Sequence, residues 1–193
     1  MRMRTWLAVL AGVALVVGAG KLLTGTARAE DRPAVTSGKA SEVGISVGDV
    51  APDFTLAGTG GTKVSLSSYK GKNHVVLIFY PMDFTSVCTK QVCQLRDDYA
   101  DFTGLDAVGF GINNNPLKTH EDFRTEYKLP FALLHDPELE VALQYGAARE
   151  KGQEVLDRTV VIVGKDGKII FYQKGVPSSA DMLAAIKAAE SAK

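Results

Sequence analysis

A three-layer α/β domain, with helices on both faces of a central mixed β-sheet, is the architecture this sequence predicts. Three observations carry that expectation. Strand-like and helix-like segments alternate along most of the chain. The runs His74–Tyr80 and Arg158–Val163 are almost continuously apolar and β-branched, as strands covered on both faces are. A Gly164-Lys165-Asp166-Gly167 turn then joins two late strand-like runs as a hairpin, which adds antiparallel pairing to the sheet. At 193 residues one domain is expected, with enough core for its size.

The first segment reads as a targeting signal. Arg2 and Arg4 form a positive start, Trp6 to Gly20 is an apolar and glycine run of 15 residues, and Ala27-Arg28-Ala29 has the small-x-small form of a cleavage site. Fifteen residues fall short of the about twenty that a membrane span needs. Lys21 can snorkel and Leu22-Leu23 can extend the run, so residues 1–29 are a cleaved signal peptide or an uncleaved anchor held by residues 5–23. Either reading places the folded part outside the cytoplasm, in the periplasm or an equivalent extracytoplasmic space. Residues 30–45, rich in Ser, Thr, Gly, Ala and charge, read as a linker, and residues 46–193 as the domain. Beyond residue 29 the chain carries 18 basic and 22 acidic side chains, a net of about −4, and no basic stripe. Nucleic acid is therefore not an expected partner.

Within the domain, Val47 to Leu56 reads as short extended pieces, followed by a turn at Gly58-Thr59-Gly60-Gly61 and a strand from Lys63 to Leu66. That glycine turn leads into a strand and lacks a Gly-Lys-Ser/Thr ending, which excludes a phosphate-binding loop. His74 to Tyr80 is a buried strand stopped by Pro81. Val87 to Phe102 carries Val92, Leu95, Tyr99 and Phe102 at helical spacing with charged residues between them, and Thr85 and Ser86 are suited to cap its start. A strand at Leu105–Ile112, a helix from Pro116 to Tyr127, a strand at Phe131–Leu134 and a helix from Pro137 to Tyr145 follow. Arg158–Val163 and Lys168–Gln173 form the hairpin, and Ser178 to Ala189 a final Ala-rich helix. The run Asn113-Asn114-Asn115 reads only as loop.

Both cysteines of the chain, Cys88 and Cys93, fall in the helix that follows Pro81. In its first turn Cys88 meets unpaired backbone N–H groups and the positive end of the helix dipole, both of which favour thiolate over thiol. Cys88 is therefore the candidate nucleophile. Five residues on, Cys93 lies about 140° around an ideal helix and roughly 7.5 Å along it, so the two Cα atoms are on the order of 8.5 Å apart. A disulfide needs less than about 7 Å. The pair can coexist as thiols in a wound helix, and bridging them requires the first turns to unwind, which points to a catalytic pair. A static disulfide in an exported protein is the other reading of two cysteines.

The segment Pro81-x-x-x-Thr85-x-x-Cys88 resembles the active-site motif of the peroxiredoxins, and Phe79-Tyr80-Pro81-Met82-Asp83-Phe84-Thr85 is close to the family's wording. The second cysteine five residues later is similar to the peroxiredoxin Q, or bacterioferritin comigratory protein, subgroup. The resemblance continues through Lys118–Phe123, Tyr127–Asp136 and Arg158–Val163 and covers roughly residues 46 to 190. Gln91 departs from the family, which commonly has Glu three residues after the cysteine.

This resemblance implies a thioredoxin-like fold and a thiol-dependent peroxidase acting on hydrogen peroxide and organic hydroperoxides. It assigns the reacting thiolate to Cys88, the resolving thiol to Cys93, and the support of thiolate and peroxide to Pro81, Thr85 and Arg158. It implies no metal and no organic cofactor, a thioredoxin-like dithiol protein as electron donor, and a monomer or weak dimer. Two other functions stay in view. One joins His74, His120 and His135 to the cysteines as ligands in a copper-binding thioredoxin-like chaperone, although such proteins space their cysteines three apart. In that comparison His120 reads as a solvated helix residue and His135 as a turn residue. An exported thiol–disulfide oxidoreductase is the second, although its usual Cys-x-x-Cys is absent.

Overall fold

The computed structural model describes residues 44–150 and 152–191. The predicted signal or anchor, residues 1–29, and most of the predicted linker lie outside them. Seven strands form one mixed sheet in the order β2-β1-β5-β4-β3-β6-β7. They are β1 Thr55–Gly58, β2 Thr62–Ser65, β3 His74–Phe79, β4 Ala107–Asn113, β5 Ala132–His135, β6 Thr159–Val163 and β7 Ile169–Lys174. The helices are α1 Ser86–Asp97, α2 Tyr99–Thr103, α3 Leu117–Glu126, α4 Glu140–Gln144 and α5 Ser179–Ser191. The three central strands β3, β4 and β5 run parallel, whereas β6 and β7 on one side and β1 and β2 on the other join antiparallel.

Side-chain alternation along β3 builds the layers. Val75, Leu77 and Phe79 point to one face, where they meet Val161, Val163, Ile112, Val141 and Tyr145. Val76, Ile78 and Tyr80 point to the other, with Val92, Leu95, Phe102, Phe123, Met182 and Ile186. Every residue of β3 is buried, which is why its sequence shows no polar alternation. α1, α2, α3 and α5 therefore supply one outer layer, and α4 with the chain before β3 supplies the other.

Two glycines of β4 set how close α1 and β5 can come. A Cβ on Gly109 would sit 2.7 Å from Leu95 Cδ2, and one on Gly111 would sit 2.7 Å from Leu133 Cδ2 and 2.9 Å from Tyr80 Cε1. The spaces are filled by the helix and by the Tyr80 ring.

Some boundaries differ from the sequence reading. The helix expected over 87–102 is two helices, broken at Asp98, whose φ of −98° and ψ of 9° are not helical. The helix expected from Pro137 starts only at Glu140, because Leu139 takes a left-handed backbone (φ 55°) and Asp136 accepts from the N–H groups of Val141 and Ala142 instead. β4 begins at Ala107 rather than Leu105 because the chain turns at Asp106 (φ 52°). Asn113 is not loop. It is the last residue of β4, fully buried.

Candidate active site

β3 ends at Phe79 and α1 begins at Ser86, so six residues carry the chain from the C-terminal edge of the sheet to the start of the helix. Cys88 lies in the first turn of α1 with no exposed surface, its side chain packed in the cluster that holds Tyr80 and Val92. Arg158, the residue before β6, reaches it across the sheet: its Nη2 donates to Cys88 Sγ at 3.1 Å. β3 and β6 are paired, Phe79 opposite Thr159, and this register brings Arg158 beside the start of α1. A guanidinium on a sulfur favours negative charge there, as does the helix N-terminus.

The other group of Arg158 has its own acceptor. Its Nη1 donates to Gln91 Oε1 at 3.0 Å, while Gln91 Nε2 donates to the Gly175 carbonyl at 3.5 Å. Gln91 is buried and neutral, so it orients the guanidinium without cancelling its charge.

The remaining predicted residues are nearby in sequence but are not all brought into contact with the sulfur. Thr85 is the N-cap residue by position, yet its side chain makes no capping bond. Its hydroxyl donates to the Met82 carbonyl at 3.3 Å. Thr85 is exposed and Pro81 half-buried at the strand end. Cys93 is a free thiol, like Cys88, and is half-buried in the middle of α1. Burial pushes its thiol up, Arg96 pulls it the other way and Asp97 adds to the rise, with the net result above a cysteine's ordinary value.

A buried polar group in the link between β3 and α1 went unread in the sequence. Asp83, 3% exposed, accepts from Tyr80 OH at 2.7 Å and from Asn113 Nδ2 at 3.0 Å on Oδ1, while its Oδ2 lies 2.7 Å from His120 Nδ1. The Asp83 N–H donates to Asn115 Oδ1 at 2.8 Å, and the Asn115 N–H to Asn113 Oδ1 at 2.6 Å. Burial, followed by the charge of Asp83, holds the Tyr80 hydroxyl well above the usual phenol range, so it stays a donor. Two readings are corrected here. His120 is not solvated: it has no exposed surface, because Asp83 pairs with it inside the protein. Of the asparagine run, Asn113 and Asn115 belong to this network, while Asn114 donates to the Glu154 carbonyl at 3.2 Å. His135 also differs, as the last residue of β5 rather than a turn residue.

His120 and His135 lie edge to face with ring centroids 6.4 Å apart, but the third histidine is elsewhere. His74 begins β3, at the end away from Cys88, and pairs with Glu190 of α5 at 2.5 Å. Among the described residues no group of three or more His, Cys, Asp or Glu side chains is placed to hold a metal ion. No helix among them is long and apolar enough to cross a membrane, and the predicted anchor segment lies outside them.

Comparison with known proteins places this geometry. The sequence model of the AhpC/TSA family matches residues 47–172. Peroxiredoxin Bcp of Bacillus subtilis (strain 168) is 38% identical over 131 residues, covering 65% of this chain and 83% of that one. Chloroplastic peroxiredoxin Q of Oryza sativa subsp. japonica is 38% identical over 125 residues, 65% of this chain but only 57% of the rice protein. Among solved structures, peroxidoxin BcpB from Mycobacterium tuberculosis superposes with a TM-score of 0.70 at 29% identity, over 75% of this chain and 98% of that one. The seven-stranded mixed sheet with its flanking helices is accordingly the thioredoxin-like fold.

Proposed function

Because the chain belongs to the AhpC/TSA family of peroxiredoxins, whose members include thiol peroxidases, we propose that it reduces hydrogen peroxide and organic hydroperoxides through Cys88 and Cys93. The observation that carries this reading is the 3.1 Å contact between Arg158 Nη2 and Cys88 Sγ at the first turn of α1. It supports a thiolate and leaves a fixed positive charge where a peroxide oxygen becomes negative.

In the first step the Cys88 thiolate attacks one oxygen of the peroxide. The S–O bond forms as the O–O bond breaks, and the other oxygen leaves as water or an alcohol after taking a proton. Cys88 is then a sulfenic acid, oxidised by two electrons. Pro81 keeps water from the sulfur in this scheme, and Thr85 turns its hydroxyl from the Met82 carbonyl toward sulfur and peroxide. In the second step the Cys93 sulfur displaces the sulfenic oxygen as water and forms the Cys88–Cys93 disulfide. Cys88 is buried and Cys93 lies more than a turn away on the same helix, so this step requires the start of α1 to unwind. A dithiol protein of thioredoxin type then reduces the disulfide, becoming a disulfide itself and returning both thiols.

The predicted leader supports an exported enzyme, working outside the cytoplasm with an exported donor, and the resemblance to the peroxiredoxin Q subgroup supports a monomer or weak dimer. The two arms of this reading have separate tests. Peroxide consumption with dithiothreitol as reductant is expected for the wild type and abolished in Cys88→Ser. In Cys93→Ser it stops after one turnover at sulfenic acid unless the small thiol rescues it. Equal, slow consumption by all three would overturn the peroxidase. Export is checked by N-terminal sequencing of the protein from cell envelopes: a start at Glu30 supports cleavage, an intact leader in the membrane fraction supports the anchor, and cytoplasmic protein contradicts both.

A further inference from the structure

Asp83 has no part in the scheme above, yet it is the most heavily partnered side chain near the thiol. Carboxylates are rarely this buried unless their charge is compensated. Here the compensation comes from separate elements: Tyr80 at the end of β3, Asn113 at the end of β4 and His120 on α3 all bind the one carboxylate. Asn115 fixes the Asp83 backbone as well. The carboxylate thus ties the link between β3 and α1 to β4 and to α3.

That link is under conformational load. Phe84, the next residue, has a φ of 60°, a region a bulky side chain seldom adopts, and its half-exposed ring lies edge-on to Phe123 at 5.0 Å. Such a backbone persists only where its surroundings impose it. On the other side, the Tyr80 ring shares its packing cluster with Cys88, so the hydrogen bond from Tyr80 to Asp83 also fixes a wall of the thiol's site.

We propose that Asp83 is a positioning residue for the peroxide reaction, a latch whose bonds to Tyr80, Asn113 and His120 keep the first turn of α1 wound with Cys88 against Arg158. The proposal rests on the function given above. The wound form meets peroxide; the unwound form makes the disulfide. The latch therefore divides the protein between the two steps, and loosening it has opposite effects on them. The first step slows because fewer molecules hold the thiol against Arg158. The second quickens because the helix start opens more readily.

Two variants of the full-length chain test this. Asp83→Asn keeps the side-chain shape but removes the charge that His120 and Tyr80 address. Tyr80→Phe keeps the ring against Cys88 and removes one bond to the carboxylate. Two quantities are measured: the rate of the peroxide reaction, by competition with a haem peroxidase, and the fraction of Cys88 carried on to sulfinic acid per turnover at high peroxide, by mass spectrometry. The second reports how long the sulfenic acid waits for Cys93. Asp83→Asn is expected to slow the peroxide reaction by about tenfold or more, the weight of a charge-assisted hydrogen bond. It is also expected to lower the sulfinic fraction, and Tyr80→Phe to move both in the same directions by less. Should Asp83→Asn fail to fold, Tyr80→Phe decides. Rates and fractions within about twofold of wild type in the folded variants would overturn the latch. So would slower peroxide reaction with a raised sulfinic fraction, the mark of a merely loosened structure. A wild type inert to peroxide would overturn the function itself, and the latch with it.

Discussion

Arg158 divides its guanidinium between Cys88 Sγ and Gln91 Oε1, and the division is what allows one cation to serve a buried thiol. With an amide as the second acceptor the charge stays whole, whereas a carboxylate there would draw part of it away. Arg158→Met removes the hydrogen bond to sulfur, worth about 1.5–3 kcal/mol, so the peroxide reaction is expected to fall roughly 10- to 100-fold. Stopped-flow rates with the variant check this, and a rate equal to wild type would show that the Arg158 contact does not assist the reaction. Cys93 makes a prediction of opposite character. Its thiol is held above the ordinary value, so it is protonated at neutral pH and its nucleophilic form grows as pH rises. Disulfide formation after a single equivalent of peroxide is therefore expected to accelerate steadily from pH 7 to about 9. A rate flat over that range would mean that Cys93 ionisation does not limit the step. At this scale the position of Cys88 in the first turn of a helix after a buried strand was legible from residue spacing, and the reach of Arg158 to it came only with the resemblance to the peroxiredoxins. Asp83, Asn113 and His120 were not legible, because the partners of Asp83 lie 30 and 37 residues away, and Asn113 read locally as loop and His120 as solvated helix.

α1 packs close against the sheet, and β4 makes this possible. Gly109 leaves room for Leu95 of α1, and Gly111 for the Tyr80 ring and Leu133. Gly109→Ala forces Leu95 outward and is expected to destabilise the fold by about 1–3 kcal/mol, the usual cost of an overpacked core. Gly111→Ala strains the Tyr80 ring as well, so it should slow the peroxide reaction as well as lower the melting temperature. Thermal unfolding together with peroxide kinetics separates the two, and a Gly111→Ala variant of unchanged rate would place the ring outside the site's support. The elements themselves were largely legible, since β3 and β6 are buried on both faces and announce it in Val and Ile. Helix ends were not. The break at Asp98 and the late start of α4 depend on backbone turns and on the N–H groups that Asp136 binds, which no residue spacing reveals.

On the scale of the molecule the sheet separates two regions of charge. The Cys88 region lies at the C-terminal ends of the parallel strands, while at the other end His74 and Lys165 bind Glu190 of α5, and Lys165 also binds Asp106. The second cluster fastens the last helix to the sheet and is remote from the thiols. The three layers and the mixed sheet were legible from alternation and the late hairpin, but the strand order was not, because β1 reaches β5 across a long stretch of chain. The domain assigned to residues 46–193 is expected to fold without the segment before it, with the melting temperature and peroxide rate of the full chain. A truncated chain that aggregates or loses activity would give residues 1–45 a structural part. The most direct measurement uses the full-length protein, reduced, given one equivalent of hydrogen peroxide and analysed by intact mass and peptide mapping. The expected result is the loss of two hydrogen atoms and a single cross-linked peptide joining Cys88 to Cys93 within one chain. An unchanged mass, or disulfides only between chains, would contradict it.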